Sequence, residues 1–275
     1  MKIHKAYIIL IFLFGLVFLG ASYKEPKPMI VKVSAADVRV WPIEHSGKYE
    51  QDPWQNTQVE KGEVVLVWDV DGEWARVQCP DQLVYNYRSK RWEGCPGWVR
   101  ADQLTEDLSK MQKIVKYNLP ENQLRKIVLV KAAQHLDSQY LWGGCSLYDP
   151  DYKKNLTGVD CSGLVNWVYR RIGVITPRNA NDQFRKAQPI GRNQLLPGDL
   201  VFLANASARN EVKHVLIYAG GEEMIEAPKT GERVRRITFR EKLGLPLSQL
   251  RQGMRVRSKV VYFGTFFKKN KKQSG

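Results

Sequence analysis

The sequence predicts an α+β protein with an all-β N-terminal part and a C-terminal part in which helices pack on an antiparallel sheet. The first observation is a series of short runs of alternating apolar and polar residues, separated by turn residues, from Met29 to about Leu104. This pattern is typical of a small barrel. The second is that apolar residues recur at helical spacing after residue 120 and precede a glycine-centred hairpin. With 275 residues, 43% of them hydrophobic, the chain can bury real cores and is not a disordered tail.

The N-terminal domain is assigned to residues 23–104 and is predicted to contain five short strands. These strands cover residues 30–33, 37–40, 64–67, 74–77 and 97–99. Its tryptophans are predicted to lie in the core and in strands, with a ligand-binding surface as the alternative: Trp41, Trp54, Trp68, Trp74, Trp92 and Trp98. Cys79 and Cys95 lie at the ends of neighbouring strand-like runs, and we hypothesise that they form a disulfide.

Residues 1–22 have the layout of a secretory signal peptide, with basic residues, an apolar run from Ala6 to Leu19 and then small residues. The run is shorter than the roughly 20 residues of a bilayer span, so a membrane anchor is the weaker alternative. The sequence therefore predicts export to the periplasm or the cell exterior. The formal net charge of +15 predicts attraction to polyanions such as acidic wall polymers or anionic lipids. The sequence contains no nucleic-acid-binding motif to accompany this charge.

Residues 105–120 are polar and rich in lysine, and they form the predicted linker between two domains. The second domain is assigned to residues 121–267 and begins with an amphipathic helix over residues 124–136. The lysine-rich residues 268–275 are predicted to be a frayed basic tail. Weak electrostatic attachment of this tail to a wall or membrane surface is the alternative.

Cys161 is the candidate nucleophile, because it lies where a glycine turn gives way to an amphipathic helix. Apolar residues recur at helical spacing as far as Ile172, Gly173 follows at the position of a C-terminal cap, and Asp160 can serve as the N-cap. Unpaired N–H groups and the helix dipole favour a thiolate there, so the pKa of the thiol is expected to fall toward neutrality. The alternative is a buried cysteine that acts as a small hydrophobic residue.

His214 opens a β-rich run that is followed by Gly220-Gly221 and a second strand-like run, which together predict a hairpin. If the strands pair about the two glycines, residues whose numbers sum to about 440 lie opposite one another. Glu226 then falls beside His214. A nucleophilic cysteine needs an imidazole base and a third group that orients this imidazole. The sequence therefore predicts that Cys161, His214 and Glu226 form a catalytic set.

Five motifs occur in order along the second half of the chain. They are YLWGG (140–144), VDCSGLV (159–165), PRNANDQ (177–183), LLPGDLVF (195–202) and KHVLIYAG (213–220). Together they resemble the NlpC/P60 family of papain-like cysteine peptidases, over roughly residues 121–267. The N-terminal domain is similar to the SH3-like barrel domains that precede such domains in bacteria. The resemblance implies a papain-like fold, no metal or cofactor, and hydrolysis of the bond between D-γ-glutamate and a diamino acid in peptidoglycan stem peptides.

The resemblance also implies roles for residues around the nucleophile. Tyr140 is implied to lie beside Cys161 and to bind the tetrahedral oxyanion, together with the backbone N–H of Cys161. Asp160 and Ser162 match a clamp that dipeptide-releasing relatives use for the free α-amine of a terminal L-alanine. The alternative for Asp160 is that it only caps the helix.

Two further residues are assigned to the substrate groove. Arg178 aligns with a segment that lines the groove and is able to pair with a substrate carboxylate through two hydrogen bonds. Trp142 is brought to the site together with Tyr140. One residue departs from the family's pattern, because Glu226 stands where the family most often has histidine. A carboxylate can still orient the imidazole, and an inactive domain is the alternative.

The predicted function is that of a cysteine endopeptidase in cell-wall remodelling or recycling. Its predicted partners are peptidoglycan or murein peptides, with no nucleic acid and no obligate protein partner. Two alternatives remain open at this point. One is an N-acetylmuramoyl-L-alanine amidase, or an acyltransferase, on the same fold. The other is a catalytically silent wall-binding protein.

Overall fold

The structure is a computed structural model, and it describes residues 25–44, 52–112, 117–152 and 156–267. The predicted signal peptide and the predicted basic tail lie outside the described residues. The described residues form two antiparallel sheets and a set of helices, so the predicted mixture of α and β structure is confirmed. Within these residues, every helix falls short of the length and apolar character that crossing a membrane requires.

The described N-terminal part is all-β, as predicted. Its strands are β1 (Lys27–Val31), β2 (Ala35–Arg39), β3 (Gln55–Glu60), β4 (Val64–Asp71), β5 (Trp74–Asn86), β6 (Arg91–Arg100) and β7 (Leu104–Thr105). They pair antiparallel in the order β3-β2-β6-β5-β4-β1-β7. Alternate residues of these strands point inward and form a core rich in valine. The assignment of this sheet to the SH3-like class stays a prediction.

Strand β3 and the two-residue strand β7 are not among the five strands that the sequence predicts for the N-terminal part. The β3 sequence QNTQVE is mostly polar, yet Gln55, Thr57 and Gln58 are buried. They are buried because β3 faces the C-terminal part of the chain. Thr57 and Gln58 form hydrogen bonds to that part, whereas Gln55 bonds to Asp37 and Thr57 within the sheet. A buried polar strand lacks the apolar alternation on which strand prediction depends.

Two predictions about side chains of the N-terminal domain are wrong. Trp41 and Trp54 are 55% and 42% exposed and do not lie in the core, whereas the other predicted core tryptophans do lie in strands. Cys79 and Cys95 lie directly opposite one another on β5 and β6, but both are free thiols and the predicted disulfide is absent from these described residues. Both thiols are buried, so they act as small apolar side chains in the core.

The described C-terminal part places helices on an antiparallel sheet, as predicted. The helices are α1 (Glu121–Ala133), α2 (Cys161–Arg170), α3 (Ala180–Lys186) and α4 (Phe239–Leu243). The strands are β8 (Gln188–Pro189), β9 (Leu200–Asn205), β10 (Ala208–Gly220), β11 (Glu223–Glu226), β12 (Arg235–Thr238), β13 (Met254–Val256) and β14 (Lys259–Thr265). They pair in the order β12-β11-β10-β9-β14-β13, and β8 adds to β14.

Both faces of this sheet are covered. On one face α1 and α2 contribute to a core that includes Trp167, Tyr169, Phe202 and Ile217. On the other face α4 packs against alternate residues of the same strands, such as Val201. Because both faces are covered, the sequences of β9 and of the part of β10 after His214 are almost continuously apolar. Helix α2 also packs against β10, and this contact brings the two strongest catalytic candidates onto neighbouring elements.

Ion pairs join β3 and the turn after it to the C-terminal end of α2. Glu60 accepts hydrogen bonds from the backbone N–H of Leu147, at 2.8 Å, and from the indole N–H of Trp167, at 3.0 Å. It also pairs with Arg171, and Glu63 pairs with Arg170. The N-terminal sheet is therefore attached to the helix that begins with Cys161.

Replacing Glu60 by glutamine should lower the free energy of unfolding by about 2 kcal/mol. Hydrogen bonds to a charged acceptor contribute about 1.5–3 kcal/mol each, and glutamine removes the charge that Arg171 faces. Urea unfolding of the full chain measures the change. Glu73→Gln is the matched control, because Glu73 pairs with Arg100 at the exposed surface of the same sheet and should change stability by less than about 0.5 kcal/mol. Equal effects of the two substitutions would contradict a stabilising junction.

Candidate active site

The position of Cys161 is set by the first turn of α2. Asp160 is the N-cap, and its Oδ1 accepts a hydrogen bond from the backbone N–H of Gly163 at 2.6 Å. A Cβ atom on Gly163 would lie 1.9 Å from the carbonyl oxygen of Gly144, so only glycine allows the helix to pack on this loop. The prediction that Cys161 lies in the first turn is confirmed, and it is the first residue of the helix. Cys161 as a whole residue is partly exposed, but its sulfur is enclosed by the elements packed around it.

The hairpin of β10 and β11 brings His214 to Glu226. The predicted hairpin is confirmed, with Gly220 and Gly221 at positive φ in the turn. Its register is shifted by two residues from the predicted one, because Ile217 pairs with Ile225. A shift of two keeps the same face of the strand, so His214 reaches Glu226 along a diagonal. The Nε2 atom of His214 lies 2.8 Å from Oε2 of Glu226.

Cys161 lies close to Val215, the residue that follows His214 on β10. Burial raises the pKa of the Cys161 thiol to about 12, and the charge of Asp160 adds to this effect. Hydrogen bonds from the backbone of Val215, the residue after His214, and of Ser162 oppose the shift. The expectation of a lowered pKa is therefore wrong, because loss of hydration outweighs the stabilisation that a helix N-terminus gives to a thiolate. In this arrangement the resting sulfur is a protonated thiol.

Burial also lowers the pKa of His214, although the hydrogen bond and charge of Glu226 act in the opposite direction. The positive charges of Lys242 and Lys259 lower it further. A lowered pKa means that the imidazole is neutral at neutral pH and gains a proton only in more acidic solution. In its neutral form, His214 is able to act as a base.

Glu226 is fully buried and lies among cations that the sequence prediction missed. Its Oε2 accepts a hydrogen bond from Nζ of Lys242 at 2.5 Å, and its Oε1 accepts from Nη2 of Arg235 at 3.0 Å. Burial acts to raise the pKa of Glu226, but hydrogen bonds from His214 and Lys242 outweigh it, and the pKa falls to about 2. Glu226 is therefore ionised throughout the range in which His214 titrates.

Local sequence signals for these cations exist. Thr238 and Glu241 form a capping box at the start of α4, and Gly244 ends this helix at φ +81°. A threonine followed by glutamate three residues later predicts a helix start. Such a helix carries Lys242, and a strand before it would have placed Arg235 opposite Glu226.

Arg178 lies inside the protein and does not line a substrate groove. The guanidinium is fully buried and forms two hydrogen bonds with Asp160, at 3.0 Å and 2.8 Å. It also donates to the hydroxyl of Ser162 at 3.1 Å and to the hydroxyl of Thr57, on β3, at 2.7 Å. The predicted pairing of Arg178 with a substrate carboxylate is therefore wrong. The arginine instead fixes the residue that precedes Cys161.

Asp160 is confirmed as the helix cap. Besides Arg178 and Gly163, its carboxylate accepts hydrogen bonds from the hydroxyl of Ser162, at 3.0 Å, and from the backbone N–H of Gly143, at 3.1 Å. These groups use both carboxylate oxygens. The role of Asp160 and Ser162 as a clamp for an amine stays a prediction.

Tyr140 and Trp142 lie on the loop that packs against the start of α2. Tyr140 forms a parallel bridge with Val159, two residues before Cys161. Burial raises the pKa of Tyr140, and the nearby charges of Asp160 and Cys161 raise it further, so its hydroxyl remains a hydrogen-bond donor. Trp142 is 49% exposed and precedes Gly143, whose φ is +69° and whose backbone packs closely on Gln55 of β3. The loop that carries Trp142 therefore packs against strand β3 of the N-terminal sheet.

A cysteine at the start of a helix, next to a strand whose histidine is bound to a buried carboxylate, is the layout of a cysteine peptidase fold. Comparison with family models agrees with this class. Residues 137–252 match the model described as the NlpC/P60 family. This part of the chain is an NlpC/P60 domain.

Similar curated proteins come from several bacteria. The chain is 26% identical over 238 residues to gamma-D-glutamyl-L-lysine dipeptidyl-peptidase of Bacillus subtilis. This alignment covers 67% of this chain and 76% of that protein. The chain is also 38% identical over 112 residues to murein DD-endopeptidase MepH of Escherichia coli. This second alignment covers 40% of this chain and 38% of that protein. The chain therefore spans most of the first relative and less than half of the second.

A solved structure shares the fold. The crystal structure of an NlpC/P60 family protein from Bacillus cereus aligns with a TM-score of 0.60 at 20% sequence identity. The alignment covers 77% of this chain and 94% of that chain. The likeness concerns the fold alone.

Proposed function

We propose that the protein is a peptidoglycan hydrolase that cleaves the bond between D-γ-glutamate and a diamino acid in stem peptides. The observation that carries the proposal is the 2.8 Å contact between His214 and Glu226, on a strand packed against the helix that starts at Cys161. A similar Bacillus subtilis protein is named a gamma-D-glutamyl-L-lysine dipeptidyl-peptidase, which supports this choice of bond. The choice of diamino acid is left to the experiment below.

In the proposed reaction, Cys161 and His214 start as a neutral pair. The sulfur attacks the γ-glutamyl carbonyl carbon as the thiol proton moves to the imidazole. The tetrahedral intermediate then collapses, the C–N bond breaks, and the imidazolium gives its proton to the leaving amine of the diamino acid. Water next attacks the thioester carbonyl carbon and gives a proton to His214. The C–S bond then breaks, the γ-carboxyl group of D-glutamate is released, and His214 returns the proton to the sulfur. Glu226 orients the imidazole and stabilises its protonated form during these steps.

The oxyanion of the intermediate is stabilised by hydrogen-bond donors near Cys161. We assign this role to the hydroxyl of Tyr140 and to the backbone N–H of Cys161, which is free of an intrahelical partner at the first position of α2. The raised pKa of Tyr140 supports the assignment, because a phenol that remains protonated can donate. Trp142, exposed at the same loop, is assigned to substrate contact.

The proposed cellular setting is the cell envelope. Peptidoglycan lies outside the cytoplasm, which agrees with the predicted signal peptide. Stem peptides carry several carboxylates, and a net charge of +15 favours their approach. We assign the N-terminal sheet the role of an SH3-like domain that borders the substrate site, because Gln55 packs against the loop of Trp142.

Mass spectrometry of the products tests the proposal. The full chain is incubated with L-Ala-γ-D-Glu tripeptides that end in meso-diaminopimelate or L-lysine, and separately with intact sacculi. The expected product is L-Ala-D-Glu from at least one tripeptide. Release of whole stem peptides from sugar would instead identify an amidase. A folded protein that binds sacculi and cleaves no substrate would overturn the proposal in favour of a wall-binding protein.

A further inference from the structure

Glu226, the third residue of the predicted catalytic set, affects the protonation of His214. A buried carboxylate that accepts a hydrogen bond from an imidazole favours the protonated form of the imidazole. Glu226 is fully buried and bonded to His214 in this way. Taken alone, this contact would raise the pKa of His214 and shift the resting imidazole toward its protonated form. A neutral third residue, such as the histidine typical of the family, would not create this difficulty.

Two cations bonded to Glu226 oppose this effect. We propose that Lys242 and Arg235 are positioning residues that partly offset the charge of Glu226, so that Glu226 orients His214 without holding a proton on it in the resting site. This inference rests on the proposed function for its catalytic meaning. We call the two side chains the cation clamp. Neither of them acts on the substrate in this proposal; both act through Glu226.

The geometry of the cation clamp divides the carboxylate between two elements. Lys242, on α4, bonds to Oε2, which is the same oxygen that His214 contacts. Arg235, on β12, bonds to Oε1 through Nη2 and through Nε at 3.2 Å. Arg235 also pairs with Glu232 at 2.8 Å, so part of its charge is already compensated. Lys242 is therefore expected to have the larger effect on His214.

Lys242 is held in place by its helix. The capping box of Thr238 and Glu241 fixes the start of α4, and Phe239 and Leu243 of the same helix are buried in the core. The side chain of Lys242 is 21% exposed, so its charge is only partly screened by water.

Other charged groups also face His214 and define the controls. Lys259 on β14 lowers the pKa of His214, and it donates to Asn205 at 3.0 Å. Cys161 on α2 is the proton donor. Lys213 precedes His214 on β10, but its ammonium group pairs with Glu211 at the exposed surface. Lys213 is therefore a matched control for the removal of a lysine charge close to His214 in sequence.

Titration of the His214 imidazole by NMR tests the proposal without a substrate. Lys242→Met should raise the pKa of His214 by about one unit, which is typical of the loss of a nearby like charge. Lys242→Arg keeps the positive charge, so the pKa of His214 should stay within about 0.3 units of its value in the unsubstituted protein. Lys213→Met should leave the value unchanged. Arg235→Gln is the second variant, because the side chain of Arg235 is 44% exposed, and it should shift the pKa of His214 in the same direction by a smaller amount.

The pH profile of kcat/KM gives the catalytic readout. The neutral imidazole is the active form, so activity is lost as the pH falls through the pKa of His214. A raised pKa in Lys242→Met should move this acidic limb to higher pH by the same amount, with the plateau rate less affected.

Two results separate this proposal from the proposed function. An unchanged His214 pKa in Lys242→Met, or an equal shift in Lys213→Met, would overturn the cation clamp even in an active peptidase. A shifted pKa in a protein that cleaves no stem peptide would support the cation clamp and overturn the peptidase instead.

Discussion

Replacement of Cys161 by alanine should abolish cleavage of stem peptides, with a loss of at least about a thousandfold in kcat. Removal of the nucleophile from a catalytic set that works as a unit typically costs several orders of magnitude. The neighbouring candidates cannot replace it. The sulfur of Cys145 is buried and lies 3.4 Å from the side chain of Asn166, and the hydroxyl of Ser162 is bound to Asp160.

The fold should survive this substitution. Cys161 is partly exposed at the first position of α2, and alanine is accepted at such positions, so the free energy of unfolding should change by no more than about 1 kcal/mol. Mass spectrometry of the tripeptide products measures activity, and circular dichroism in urea measures stability. Cys145→Ala is the matched control and should remain active. If Cys161→Ala retains more than about a tenth of the activity, Cys161 is not the nucleophile.

Replacement of Arg178 by methionine should destabilise the protein by about 3–5 kcal/mol. Removal of one partner from a buried ion pair leaves an uncompensated charge, which has costs of this size. Here the charged group left without its partner is the carboxylate of Asp160, which is almost fully buried and directly precedes Cys161. The substitution also removes the hydrogen bond to Thr57, so the attachment to β3 is weakened together with the start of α2.

Urea unfolding of the full chain measures this effect. Arg178→Lys should also be destabilising, because a lysine keeps the charge but cannot form two parallel hydrogen bonds to a carboxylate while it reaches Thr57. Arg91→Met, at an exposed position of β6, is the control and should change stability by less than about 0.5 kcal/mol. A loss below about 1 kcal/mol in Arg178→Met would contradict a buried structural role and return Arg178 to the substrate groove.

The local features of the site could be predicted from the sequence. The N-cap at Asp160, the helix that begins at Cys161 and the hairpin about Gly220 follow from short-range patterns of apolar spacing, capping and turn residues. Because side chains on a strand alternate, even a register error of two residues left Glu226 on the correct face for His214. The order of the five motifs along the chain likewise indicated the resemblance to the NlpC/P60 family.

The tertiary structure alone decided which of these side chains face one another across the fold. Arg178 meets Thr57 across a separation of 121 residues, and this contact turns a predicted substrate ligand into a buried support for Asp160. Burial of Cys161 reversed the expected direction of its pKa shift, because hydration depends on every element packed around the thiol. Lys242 reaches Glu226 only because α4 packs against the sheet. Sequence patterns report local conformation, whereas burial and ion pairing depend on contacts between distant segments.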